Sequence, residues 1–425
     1  MTPRARPAPS PLHRPVEEVT LSNGMRCLLR PQHHIGIVAV QCLLDVTVFD
    51  ETEKHAGLAN LVQRALRRGT AHHTALELDL ALEAIGASLS AGMSDDCAAL
   101  GLQTTKDDLE TALPLLGEVL WEPSFTPDEV RRERDQILAE IRLRDDDPFS
   151  LAYRHFRRAL YGRHPYGSPV EGTPETVARL GTGLCRQWHR KMFHPSNVLL
   201  VAVGHFEPKA LVPLLEKHIA ARHTATGERP ESRLRALTTN RPRRAAMSRP
   251  LEQSVCLVGW PAPSIEKIQD AAAMKVAAGV LGAGMSSRLF QRLRDEQGLA
   301  YSVGCSFGLR RATGHLLAHI GTKPETATQA TRGLVSEVQA LGRKKVPEDE
   351  LERTKTHLRG AHLIDQQTNA RQAWHLGWGE LTGLGADFAA RWPEMLDAVT
   401  AADIMRVVKR HASTPTIVTL KPARA

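Results

Sequence analysis

Glu133 and Glu140 stand seven residues apart in a run that reads as helix, so the two carboxylates share one face. Such a pair can hold a cation or a basic side chain; on spacing alone, two solvated helix-surface carboxylates are the plainer reading. Arg294 and Tyr301 lie in LRDEQGLAY. A guanidinium and a phenol brought together can hold a peptide carbonyl and stabilise developing oxyanion charge. A helix-end arginine and a core strand tyrosine would look the same. The nineteen histidines offer no H-x-x-x-H with a well-placed third ligand. His33-His34 and His72-His73 are adjacent, so each pair points to different faces or lies in a loop, while His164 and His194 fall in His-Pro dipeptides typical of turns. Six cysteines (Cys27, Cys42, Cys97, Cys185, Cys256, Cys305) form no C-x-x-C, so reduced, mostly buried thiols are expected and a zinc ribbon is not. The stretch VLGAGMSSRLF lacks the third glycine and the acidic partner of a phosphate cradle.

The elements that must position these residues come in two similar sets. EVTLSNGMRCLL carries a hairpin signal at Asn23-Gly24 and is followed by a strand run, IGIVAVQCLLDV. Leu58, Leu61, Val62, Ala65 and Leu66 recur at helical spacing over about 56–68. Two strand runs, ASLSAGM and CAALGLQTT, precede the helix KDDLETALPLLGEVL; Thr126-Pro127-Asp128-Glu129 then starts a long helix to about 145. NVLLVAVG and PKALVPLLEKHI close this half. The segment 224–250 is polar, proline-rich and without apolar period, which predicts a linker. Beyond it the order of strands and helices repeats. The expected organisation is a tail over 1–16, an α+β unit over 17–223, the linker, and a second α+β unit over 251–425, each a sheet covered by helices.

Composition excludes several classes. At 42% hydrophobic and 24% charged residues, the chain reads as globular, and no stretch approaches twenty apolar residues. The net charge of +8 is dispersed and aromatics make up 4%, so neither a nucleic-acid surface nor a membrane partner is expected. The Pro/Arg-rich N-terminus lacks the apolar core of a signal peptide. A cytoplasmic protein is expected, or a periplasmic one had a leader been removed.

Several ordered phrases resemble the M16 (inverzincin) peptidase family: GLANLVQRALRRGT, ERDQILAEIRLRDDDP, HPYGSPVEGT, HPSNVLLVAVGHFEP and GMSSRLFQRLRDEQGLAYSV. The resemblance runs from about 17 to 421 and implies two homologous α/β sandwich domains. That family's zinc helix carries H-x-x-E-H, two histidines and a glutamate base. The matching positions here are Asn60, Gln63 and Arg64. None is a normal zinc ligand, and Gln63 has no usable basicity. Glu140 matches the family's third ligand, and Glu133 the carboxylate seven residues upstream. The resemblance therefore implies a degenerate site with no metal in this chain, and an Arg64–Glu140 ion pair in its place. Arg294 and Tyr301 match the family's substrate-contacting pair. Loss of the zinc triplet with retention of that pair resembles heterodimeric bacterial members. One subunit there supplies zinc on H-x-x-E-H, and the other binds the peptide. Processing of the pyrroloquinoline-quinone precursor is one activity this implies. The alternatives are a structural core subunit, as in respiratory complexes, or a self-sufficient atypical peptidase. The glycine stretch matches the glycine-rich loop of mitochondrial processing-peptidase α-subunits in position only, being much shorter.

Overall fold

The computed structural model describes residues 15–223, 234–237 and 243–423. The expected N-terminal tail lies almost wholly outside them, as does most of the expected linker. The first half contains β1 (Glu17–Thr20), β2 (Arg26–Pro31), β3 (Ile37–Leu44), α1 (Leu58–Ala65), α2 (Ala75–Ala84), β4 (Ser88–Met93) and β5 (Ala98–Thr105). It continues with α3 (Leu109–Trp121), α4 (Pro127–Asp146), α5 (Pro148–Tyr161), α6 (Pro174–Val177), α7 (Thr182–Met192), β6 (Val198–Gly204) and α8 (Pro208–Leu215). A π-helical segment, Glu216–Ala220, extends α8. The second half runs β7 (Arg244–Arg249), β8 (Ser254–Ala262), α9 (Ile268–Gly282), a π-helical segment Phe290–Glu296, β9 (Ser302–Gly308) and β10 (Gly314–Thr322). Then come α10 (Ala327–Leu341), α11 (Glu348–Asp365), α12 (Asn369–Leu381), α13 (Phe388–Asp397), α14 (Ala401–His411) and β11 (Thr416–Pro422).

Two mixed sheets result, ordered β1-β2-β6-β3-β5-β4 and β7-β11-β8-β10-β9. In each, the last strand pairs parallel with an early one, β6 with β2 and β11 with β7. The other pairings are antiparallel, so the expected α+β architecture is present twice. β6, VLLVAVG, is buried along its whole length. Its continuous apolar run is what a strand covered on both faces requires.

One face of each sheet is covered by a helix of the other half. Ala373 and Leu376 of α12 pack on Leu43, Leu199 and Val201 of the first sheet. Gly377 allows the approach, since a Cβ there would run into Leu43. Reciprocally, Phe156 and Leu160 of α5 pack on Leu257, Val418 and Leu420 of the second sheet. The halves thus exchange one helix each. A buried polar junction adds to this: Asp95 pairs with both Arg157 and Arg310, Asp45 pairs with Arg311, and the Tyr166 hydroxyl donates to Asp96. The linker expectation also needs correction. Residues 244–249 form edge strand β7, and Leu234 and Leu237 pack against the α5 layer.

All six cysteines are free; five are buried and Cys305 is partly so. His164 and His194 do sit at turns, yet both are buried, with His164 donating to the Arg235 carbonyl at 2.8 Å. Among the described residues no helix is long and apolar enough to cross a membrane.

Candidate functional site

Helix α1 is seated by its apolar stripe, with Leu58, Leu61, Val62 and Ala65 all buried. Its start is fixed by Gly57, whose φ of +95° suits glycine and whose missing side chain leaves room for the Glu171 carbonyl, 2.6 Å from where a Cβ would be. Glu51 caps this end: its carboxylate accepts the N–H groups of Gly57 at 3.0 Å and Ala59 at 2.7 Å. Burial pushes the Glu51 carboxyl up to about 7, against the pull of those two N–H groups. On the facing helix, Val130, Ile137 and Ile141 of α4 are buried in the same core. The two helices therefore meet in fixed register, with Asn60, Gln63 and Arg64 on one and Glu133 and Glu140 on the other.

Arg64 bridges them. Its Nη1 and Nη2 donate to the two Glu140 oxygens at 2.7 and 2.9 Å, and its Nε donates to Glu133 at 2.7 Å. The expected Arg64–Glu140 pair is present, in the fork geometry that only arginine offers. Glu133, a surface carboxylate on the plainer reading of spacing, is 1% exposed. Its second oxygen is taken by Arg68, a partner the sequence reading missed. Arg68 lies in the turn just past the end of α1, where no helical spacing in the sequence marks it as a partner. The bond to Glu140 raises the Arg64 pKa and holds the Glu140 carboxyl below its ordinary value.

These residues do not fit a zinc ion. A guanidinium already occupies both carboxylates, and a divalent cation beside it would meet direct repulsion. Gln63 is buried with its amide oxygen unpartnered, and an amide cannot take a proton from water. Among the described residues no group of three or more His, Cys, Asp or Glu could hold a metal. Elemental analysis of the chain after mild dialysis is expected to find no stoichiometric zinc. One tight Zn²⁺ per chain, lost on Glu140→Gln, would contradict this.

Arg294 and Tyr301 belong to the second half. Arg294 lies in the π-helical segment Phe290–Glu296; two residues beyond its end, the Gly298 N–H bonds the Arg294 carbonyl at 3.1 Å and the Gly298 φ is +62°. The Arg294 guanidinium stacks over the Phe290 ring at 4.6 Å and, among the described residues, pairs with no carboxylate. Tyr301 immediately precedes β9, at the outer edge of its sheet. Its backbone N–H is tied to Gly321, while its side chain is 59% exposed. A core role for this tyrosine is thereby ruled out. No hydrogen bond or ion pair among the described residues joins either side chain to the Arg64 cluster. The glycine stretch before this segment forms a turn in which the Ser287 hydroxyl donates to the Gly284 carbonyl at 2.7 Å.

Two family models match the chain. Residues 30–174 match insulinase (peptidase family M16), and residues 185–358 match the peptidase M16 inactive domain. The chain belongs to the M16 peptidase family. Its M16 relatives include an uncharacterized zinc protease of Mycobacterium tuberculosis (strain H37Rv), 28% identical over 381 residues, covering 89% of this chain and 86% of the relative. Another, from Bacillus subtilis (strain 168), is 26% identical over 365 residues, covering 84% and 86%. Among solved structures, a peptidase M16 inactive domain from Pseudomonas fluorescens superposes with a TM-score of 0.89 at 20% identity, covering 96% of this chain and 99% of that one. A protease from Helicobacter pylori gives 0.86 at 21% identity, covering 96% and 100%. The M16 sandwich is therefore kept across the chain, although the first-half helix pair carries a salt bridge instead of metal ligands.

Proposed function

We propose that this chain is the non-catalytic, substrate-binding subunit of a heterodimeric M16 zinc peptidase. Its partner carries H-x-x-E-H and the zinc ion; this chain closes a shared chamber and presents Arg294 and Tyr301 to an extended peptide. The observation that carries the proposal is a contrast between the halves. Where α1 and the turn after it meet α4, the charges of Arg64, Arg68, Glu133 and Glu140 are mutually satisfied. In the second half, Arg294 on the π-helical segment, which pairs with no described carboxylate, and the exposed Tyr301 beside edge strand β9 stand ready to donate to something outside the chain. Both donate to the scissile carbonyl as negative charge builds on its oxygen. The outer edges of β4 and β9 carry no strand partner among the described residues, so an extended peptide can add to a sheet there. The substrate class is a peptide precursor, such as that of pyrroloquinoline quinone.

A photo-reactive phenylalanine analogue placed at Tyr301 tests the contact. In the assembled pair it is expected to cross-link a bound peptide to this chain, whereas the same group at exposed Leu363 is not. Cleavage that proceeds with no adduct at position 301 would favour a structural core subunit.

A further inference from the structure

The two halves repeat one order, and one departure from the repeat leaves a trough uncovered. In the first half, β6 leads into α8 and its π-helical extension, which fill the trough between α3 and β2. Leu211, Leu215 and Ile219 are buried there. Trp121 of α3 donates its indole N–H to the Ile219 carbonyl at 3.0 Å, and Gly117 leaves the space that the His218 carbonyl enters. In the second half β11 corresponds to β6, β7 to β2 and α10 to α3. No described helix occupies the matching trough. An open groove of about 600 Å³ lies there, between α10, β7 and β11.

The groove has a definite chemistry. Its floor is aliphatic, with Ala246, Ala327, Val335 and Ile417. Ala246 is left exposed on its strand. Around the floor stand Arg244, Arg332, Arg343 and Lys421, and no carboxylate lines the groove. None of these four cations makes an ion pair with a described residue. Elsewhere on this surface arginines are commonly paired, as Arg292 of the π-helical segment is with Glu337 of α10 at 2.7 Å.

We propose that this groove docks an acidic amphipathic helix of another protein. The first half shows what fills such a trough in this fold, a helix of about three turns with leucine-type residues pressed inward. The unpaired cations set the sign of the flanks: Asp and Glu on both sides of an apolar ridge would meet Arg332 from α10 and Arg343 just past its end, and Arg244 and Lys421 from the strands. Nucleic acid would match the charge, but would gain nothing from an aliphatic floor without aromatic rings. The groove is not the substrate edge: β7 and β9 are opposite ends of one sheet. Four strand spacings, roughly 19 Å, separate them.

The probe is a fluorescein-labelled, hydrocarbon-stapled 13-residue helix with leucines at i, i+4 and i+8 and glutamates on both flanks. Fluorescence anisotropy at low salt is expected to give a Kd on the order of micromolar. The charge-reversed variant R332E/R343E should weaken binding at least about tenfold, and a lysine-flanked version of the helix should prefer that variant to the wild type. Both arginines are exposed, so the fold is not at issue, and Ala246→Trp offers a second, steric block. Equal binding of the two helices, or none below about 1 mM, overturns the proposal. Displacement of the helix by a long-chain fatty acid that itself binds more tightly would assign the groove to a small amphiphile, which also overturns it. So would concentration-dependent dimerisation of the chain that R332E/R343E abolishes, since the occupant would then be a second copy.

Discussion

Arg64→Ala is expected to lower the unfolding free energy by about 3–5 kcal/mol, the range for removing one member of a buried ion pair. The cost arises from what is left behind more than from the bonds lost. Glu133 has a side chain only 2% exposed and would keep a single partner, Arg68. Glu140, with a side chain 40% exposed, is partly rescued by water and adds less. Arg64→Lys retains the charge but cannot reach both carboxylates as a fork, so a substantial part of the loss should persist. Combining Arg64→Ala with Glu133→Gln should recover stability relative to Arg64→Ala alone, because the stranded charge is then gone. The pH dependence has a defined sign. Arg64 holds the Glu140 carboxyl below its ordinary value, so its contribution is present above the normal carboxylate range. It is lost as the pH falls through the lowered value, and the gap between wild type and Arg64→Ala narrows in acid. Chemical denaturation across that range reads both effects. A loss below about 0.5 kcal/mol, the level of an ordinary surface substitution, would mean that the salt bridge does not replace a metal in holding α1 to α4.

In the assembled pair, Arg294→Ala and Tyr301→Phe are each expected to lower the cleavage rate by about 10²–10³, the usual cost of one lost oxyanion donor in hydrolases. The effect should fall on kcat, since a donor to developing charge acts in the transition state more than in the bound peptide. Stability should change little: the Arg294 guanidinium stacks on the Phe290 ring and pairs with no described carboxylate, and the Tyr301 side chain is largely exposed. Size-exclusion chromatography separates loss of chemistry from loss of assembly. Full activity in both variants, with the pair intact, would leave this chain a structural part only.

Much of this was readable from the chain because the informative residues answer to local rules. The Asn23-Gly24 turn joins β1 to β2, and the Thr126-Pro127 start opens α4 where its capping pattern predicts. The apolar stripe of α1 fixes which of its residues face α4, and the swap of ligand types for Asn60, Gln63 and Arg64 could be read against the resemblance. Three features were not legible. The stripe on α5 announces a buried face without saying which sheet buries it, and Phe156 packs on the sheet of the other half. Strand β7, RAAMSR, turns only Ala245 and Met247 to the α5 layer, too little apolar signal to distinguish an edge strand from a linker. Arg68 reads as one more arginine in a basic run; only the depth of Glu133 makes it a partner.

The most direct measurement is a titration of this chain into a fixed amount of an M16 subunit that carries H-x-x-E-H and zinc, with cleavage of a peptide precursor as the readout. Neither chain alone is expected to cleave at an appreciable rate, and activity should rise with added chain and saturate at one to one. Cleavage by this chain after purification away from any partner, or a partner rate unchanged by its addition, would contradict the account.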